Sequence, residues 1–172
     1  RVSKLGGVAI YFGFMLAALA AQWLNVPRFD DAEIIRFSGL LLGGTFIFIV
    51  GLLDDIYELG PVQLGISQII AAGIAVLFLI FIEAFNNPVT GQQTDPWPFA
   101  VTVIISMFWL GLMMNTVNFM DGLDGLVAGV AFIAGGMLFF NSAFVLAPAQ
   151  TSVSLLPLAL MGAALGFGVY NF

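Results

Sequence analysis

The sequence predicts an all-α polytopic membrane helix bundle with about six transmembrane helices, and three observations carry that reading. Of the 172 residues, 61% are hydrophobic and only 8% are charged, where a soluble globular domain has roughly a quarter charged. The mean hydropathy is +1.09. Uncharged apolar stretches close to the ~20 residues needed to cross a bilayer recur along the chain, separated by short polar segments.

The first expected span is Gly6 to Leu24, which carries no charge. The segment "NVPRFDDAEIIRF" interrupts it, with Pro27 as a stop and Asp30 or Asp31 as the cap of a short amphipathic surface helix. Phe37 to Leu53 forms the second span and ends at "DDIYELGP". The third runs from Leu64 to about Ile82, closed by Glu83 and by "NNPVTGQQTDPWP", a cluster of turn residues. Phe99 to Phe119 is the fourth. From Gly125 to Phe172 no residue is charged, a stretch of 48 that exceeds one helix; Asn141 to Ser154, with Pro148, supplies the break between the fifth and sixth spans.

With 18 Phe and no Cys, the chain offers no disulfide framework. It starts with Arg1 rather than Met, and its last span runs to the final residue. Residues 1–172 are therefore expected to be one integral membrane domain from a longer protein, with both ends missing. Arg1 and Lys4 before an apolar stretch imitate a secretory signal, but the many spans that follow argue against one.

Parity organises the acidic residues. Between "DDIYE" at the end of the second span and "DGLDG" at the end of the fourth, the chain crosses twice, so both clusters are expected on one side, where they can form one site. Trp23 and Trp97 then fall at the opposite face, where an aromatic belt places them. Positive charge decides little about orientation, because Arg1 and Lys4 oppose Arg28 and Arg36.

After Arg36 there is no Lys, Arg or His, yet Asp54, Asp55, Glu58, Glu83, Asp95, Asp121 and Asp124 follow. Acids at a membrane face protonate, bind a cation, or pair with a base elsewhere. Hard carboxylate oxygens suit magnesium or manganese, and a divalent ion is the simplest counter-charge. Taken alone, Asp54 and Asp55 fit a solvated span end as well as a site, and Glu58, Glu83 and Asp95 read as solvated loop acids. Gly43-Gly44, Gly135-Gly136, Gly162 and Gly166 read as close helix packing.

"NTVNFMDGLDGL", residues 115 to 126, is harder to read as a plain span end. Asn115, Asn118, Asp121 and Asp124 recur every three residues, and each step turns a helical side chain back by about 60°, so one straight helix cannot aim all four at one point. Gly122 and Gly125 suggest that the fourth span ends near Asp121, the backbone turns, and Asp124 opens the fifth span. A helix N-terminus there favours a phosphate, or steadies its own carboxylate. The expected ligand is polar, anionic and metal-associated.

These residues resemble the polyprenyl-phosphate N-acetylhexosamine-1-phosphate transferases. The pattern N-x-x-N-x-x-D-G-x-D-G-L is matched at Asn115, Asn118, Asp121, Gly122, Asp124, Gly125 and Leu126. Asp54-Asp55 after "GLL" is similar to the family's aspartate pair, "LGGVAI" at Leu5 to Ile10 to its early segment, and "GFGVYNF" to the approach to a further catalytic motif. The short "DDIYELGP" loop looks more like the branch using UDP-N-acetylglucosamine and undecaprenyl phosphate than the muramyl-pentapeptide branch.

The resemblance implies transfer of GlcNAc-1-phosphate, or another sugar-1-phosphate, from a UDP-sugar to undecaprenyl phosphate. UMP is released, and cell-wall, teichoic-acid or lipopolysaccharide synthesis begins. It implies a multi-pass protein of the bacterial inner membrane with a cytoplasmic active site, no nucleic-acid partner, and a homodimer as one allowed assembly. Mg²⁺ or Mn²⁺ would be held by Asp54, Asp55 and Asp121. Asp54 and Asp55 would be catalytic, orienting or deprotonating the acceptor phosphate, while Asn115, Asn118, Asp121, Asp124 and Asn171 would bind substrate.

Two departures stand out. Leu64 occupies a position where the family often has Lys, and the chain stops at Asn171-Phe172, before a further aspartate motif and a His-rich loop, so the fragment alone is expected to be inactive. A Mg²⁺-dependent intramembrane prenyltransferase would explain "DDIYE", but its second motif should be another Asp-rich cluster without N-x-x-N. A cation-coupled transporter would place its acids near mid-membrane, whereas Asp54 and Asp124 fall at span ends.

Overall fold

A computed structural model describes residues 6–28, 30–87, 89–120, 122, 125–146 and 150–169. Six α-helices follow one another: α1 (Gly6–Ala21), α2 (Glu33–Tyr57), α3 (Pro61–Leu77), α4 (Phe99–Met120), α5 (Leu126–Phe140) and α6 (Thr151–Gly168). Among the described residues there is no strand beyond a single bridge between Asn86 and Gln93. α2, α4, α6 and α5 with its continuation to Val145 are long and apolar enough to span a membrane; α1 and α3 are apolar but shorter. The chain forms two compact units, Ile34–Thr116 and the combination of Arg1–Glu33 with Val117–Phe172.

In the unit Ile34–Thr116, α2 absorbs two expected elements. The surface helix after Asp30 or Asp31 does not form separately; one 25-residue helix runs from Glu33 through the span that was expected to start at Phe37. Pro27 is the only helix stop in that stretch, so the charged first turns simply extend the span toward water. The helix also continues past Leu53, placing Asp54 and Asp55 inside its last turn.

α3 starts at Pro61, where a missing N–H costs nothing, and Gln63 Oε1 accepts the Gly60 N–H at 2.6 Å. It stops at Leu77, five residues before the expected Ile82. The Leu79 N–H donates to the Val76 carbonyl at 3.1 Å and the Ile80 N–H to Ala75 at 2.9 Å, a Schellman closure with Leu79 at φ +62°. Tertiary contacts hold this early stop. The Ile82 N–H donates to the buried Ser106 Oγ of α4 at 2.8 Å, and Phe78 lies so close over Gly39 of α2 that no Cβ fits there. Beyond it a small hairpin-like loop forms, with the Thr94 N–H donating to the Phe85 carbonyl at 3.0 Å and Trp97 half-buried against Phe85.

In the other unit, α6 packs against both α5 and α1. A Cβ on Gly135 would lie 2.8 Å from Met161 Cγ and 3.1 Å from the Pro157 carbonyl oxygen, and one on Gly6 would meet the Phe167 ring at 2.6 Å. The expected role of Gly135 therefore holds. Gly162 and Gly166 do not share it: nothing lies within 4 Å of a Cβ at either, so they face away from the α5 and α1 contacts. The break between the last two spans is shorter than expected, because α5 continues as a π-helical turn over Asn141–Val145. The Leu146 N–H donates to the Asn141 carbonyl at 3.0 Å. Pro148 lies outside the described residues.

Burial is inverted relative to a soluble domain. Among the described residues the buried side chains are Ala18, Ala71, Ala72, Ala128, Ala159 and Ala164 with Ser67, Thr102, Ser106, Ser142 and Ser154, while Leu16, Ile69, Ile104 and Met137 are exposed. In lipid no hydrophobic force drives large side chains inward, so helices pack through small residues and leave the bulky ones to the acyl chains. The buried hydroxyls stay satisfied: Ser67, Ser142 and Ser154 donate to carbonyls three or four residues back at 2.7–2.8 Å.

Candidate active site

Asp54 and Asp55 sit in the last turn of α2 but face different surroundings. Asp54 is half-buried, and its Oδ1 accepts the Leu59 N–H at 2.8 Å while its carbonyl accepts the Glu58 N–H, also at 2.8 Å. These bonds bend the chain out of the helix through Glu58, whose φ is +51°. Asp55 is exposed. Successive helical residues point about 100° apart, so the pair does not act as one two-pronged group. Asp54 steadies the helix end with one oxygen, and Asp55 is exposed beside it.

Asn115 and Asn118 both lie in the last turns of α4 and both are exposed. Asn115 is held firmly: its Nδ2 donates to Gln68 Oε1 at 2.7 Å and to the Gly111 carbonyl at 3.0 Å, and its Oδ1 accepts from Gln68 Nε2 at 3.3 Å. The sequence reading missed Gln68. The available signal was a side-chain amide within an apolar 17-residue helix, where a polar group needs a partner. Asn118 belongs to the other unit.

Asp121, Asp124 and Asn171 lie outside the described residues. The chain break expected around them is present: α4 ends at Met120, α5 begins at Leu126, and Gly125 takes φ +72°, a left-handed conformation that favours glycine. Among the described residues no three acidic, His or Cys side chains gather closely enough to hold a metal ion. Asp54 and Asp55 supply hard oxygens of the kind that magnesium or manganese takes, which fits as far as these two donors go. Leu64, near the start of α3, puts no cation beside them. Glu58, Glu83 and Asp95 are exposed, as solvated acids should be.

Residues 37–172 match glycosyl transferase family 4. The chain belongs to that family. The matched range contains Asp54, Asp55 and the whole N-x-x-N-x-x-D-G-x-D-G-L segment, and it leaves out Leu5 to Ile10. Among curated relatives, the chain is 29% identical to the decaprenyl-phosphate N-acetylglucosaminephosphotransferase of Mycobacterium tuberculosis, over 98% of this chain and 43% of that protein. It is 27% identical to a probable undecaprenyl-phosphate N-acetylglucosaminyl 1-phosphate transferase of Bacillus subtilis, over 98% of this chain and 44% of the relative. It is 33% identical to a phospho-N-acetylmuramoyl-pentapeptide-transferase of Bacillus anthracis, over 97% and 52% respectively. The chain thus spans about half the length of the family 4 relatives it matches, or somewhat less. No solved structure matches it.

Proposed function

We propose that the protein carrying this chain transfers a sugar-1-phosphate, GlcNAc-1-phosphate in the first instance, from a UDP-sugar to undecaprenyl phosphate and releases UMP. The observation that carries the reading is the family match across the segment holding both the aspartate pair and the asparagine-aspartate motif. The relatives' names support it: each is a transferase of a phosphate-linked amino sugar, and two name a polyprenyl phosphate. Relatives of both the GlcNAc and muramoyl-pentapeptide kinds match at similar identity, so the choice of donor rests on the short "DDIYELGP" loop.

In this reaction an oxygen of the lipid phosphate bonds to the sugar-bearing phosphorus of the UDP-sugar, and the bond from that phosphorus to the UMP oxygen breaks. Little covalent chemistry is left to the protein, so positioning and charge control dominate. Asp55, exposed at the end of α2, orients or deprotonates the lipid phosphate. Asp54, tied to Leu59, keeps that helix end from shifting. Asn115 and Asn118 face the donor, with Asp121, Asp124 and Asn171 as further contacts. A magnesium or manganese ion held by Asp54, Asp55 and Asp121 would offset the phosphate charges. The site is proposed to open on the cytoplasmic side of a bacterial inner membrane.

The test is UMP release by the protein at the full length of its relatives, supplied with UDP-GlcNAc, undecaprenyl phosphate and Mg²⁺. Dependence on both substrates supports the reading. Prenyl diphosphate consumption without UMP would point to a prenyltransferase, and ion flux without turnover to a transporter.

A further inference from the structure

Hydrogen bonding fixes which way the Asn115 amide points. A side-chain amide has two N–H donors on its nitrogen and a carbonyl oxygen with two lone pairs. The Gly111 carbonyl, one turn back on α4, can only accept, so the Asn115 nitrogen faces it and donates at 3.0 Å. The second N–H goes to Gln68 Oε1 at 2.7 Å, and Gln68 Nε2 returns a bond to Asn115 Oδ1 at 3.3 Å. Both donors of Asn115 are thus spent within the protein. Its oxygen keeps one lone pair, on a side chain that is exposed while Gln68 is half-buried.

This bonding decides what Asn115 can recognise. The diphosphate oxygens of a nucleotide sugar only accept hydrogen bonds at neutral pH, so an amide with no free N–H offers them nothing. Uracil, ribose and the amino sugar instead carry N–H and O–H groups, which need an acceptor. Without Gln68 the Asn115 amide would keep the single tie to Gly111, regain a free N–H and lose one constraint on its rotation.

Resting on the transferase reading, we infer that Gln68 is a positioning residue, holding Asn115 as a hydrogen-bond acceptor for an N–H or O–H of the UDP-sugar and not for its diphosphate. Gln68 itself touches no substrate in this role. A glutamine suits it, because one amide both accepts from Asn115 and donates to it, and it brings no charge into an apolar helix.

The test is a mutant cycle in the full-length protein reconstituted in lipid, read as equilibrium binding of UDP-GlcNAc and of inorganic pyrophosphate, each with Mg²⁺. Gln68→Met should weaken UDP-GlcNAc about three- to tenfold and leave pyrophosphate within about twofold. Asn115→Ala should weaken UDP-GlcNAc at least as much. Adding Gln68→Met to Asn115→Ala should do nothing further, since a residue acting through Asn115 has no effect once Asn115 is gone. The double variant leaves neither polar partner unsatisfied, so it is expected to fold even if Gln68→Met alone does not. Wild-type UDP-GlcNAc affinity in Gln68→Met, a further loss in the double variant, equal weakening of pyrophosphate, or a raised Mg²⁺ requirement in place of lost affinity would overturn the inference. UMP separates the two sources of the hydrogen: a loss shared with UMP puts it on the nucleoside, and a loss confined to UDP-GlcNAc puts it on the sugar. Because binding is read without turnover, a Gln68 effect in a protein that releases no UMP would refute the transferase reaction and keep the contact. UMP release with no Gln68 effect on binding would do the reverse.

Discussion

At the residue scale, neighbouring acids at one helix end sit in different surroundings. Glu58 occupies a left-handed conformation at the end of α2 with its side chain exposed. A non-glycine residue there costs roughly 1 kcal/mol, so Glu58→Gly is expected to raise the melting temperature and leave activity intact. A thermal scan of the reconstituted protein checks it, and a fall in stability would show that the Glu58 side chain has a partner worth more than the strain. Asp55→Asn deletes a charge without changing shape. In the full-length protein it should lose at least about a hundredfold in kcat while inserting normally. Near-normal turnover would return Asp55 to the status of a solvated helix end. The clasp of Asp54 on the Leu59 N–H was not legible from "DDIYE" alone, because it depends on how the chain leaves the helix.

At the element scale, glycines alike in sequence separate by what faces them. Gly135→Ala pushes a methyl against Met161, which can move, and against the Pro157 carbonyl oxygen, which cannot move without its helix. The expected cost is about 1–3 kcal/mol, while Gly162→Ala, with nothing within 4 Å, should be neutral or slightly stabilising. Denaturation of the two variants side by side would reveal the contrast, and equal effects would place α6 in a different rotation against α5. The third span shows the same limit on a sequence reading. Hydropathy carries a helix on to Ile82, but Ser106 takes the Ile82 N–H and Phe78 settles on Gly39, so the helix ends at Leu77. Hydropathy locates apolar backbone and is blind to a partner 24 residues away that offers a hydrogen bond.

At the scale of the whole molecule, the chain covers 43–52% of the length of its relatives and has no Lys, Arg or His after Arg36. Phosphoryl transfer depends on complete charge neutralisation and positioning. The 172-residue chain purified alone in lipid is therefore expected to release no UMP above a no-protein control, even with both substrates and Mg²⁺ present. Sustained release would show that every essential group lies within these residues.

By itself the sequence determined the order of the six apolar helices, the acids that close α2, the asparagines that close α4 and the glycine turn that opens α5. These follow from local rules: a bilayer demands a fixed length of apolar backbone, and polar residues and glycines mark where it ends. Only the tertiary structure decided that Asp54 clasps Leu59, that Gly39 and Gly135 are contacts while Gly162 is open, and that Gln68 engages Asn115. The Asp54 bond depends on how the chain leaves α2, and the others on how a helix is rotated about its axis against its neighbour. In a chain that is apolar on every face, the hydrophobic pattern carries no information about that rotation, and close packing of small residues with a few buried hydrogen bonds sets it instead.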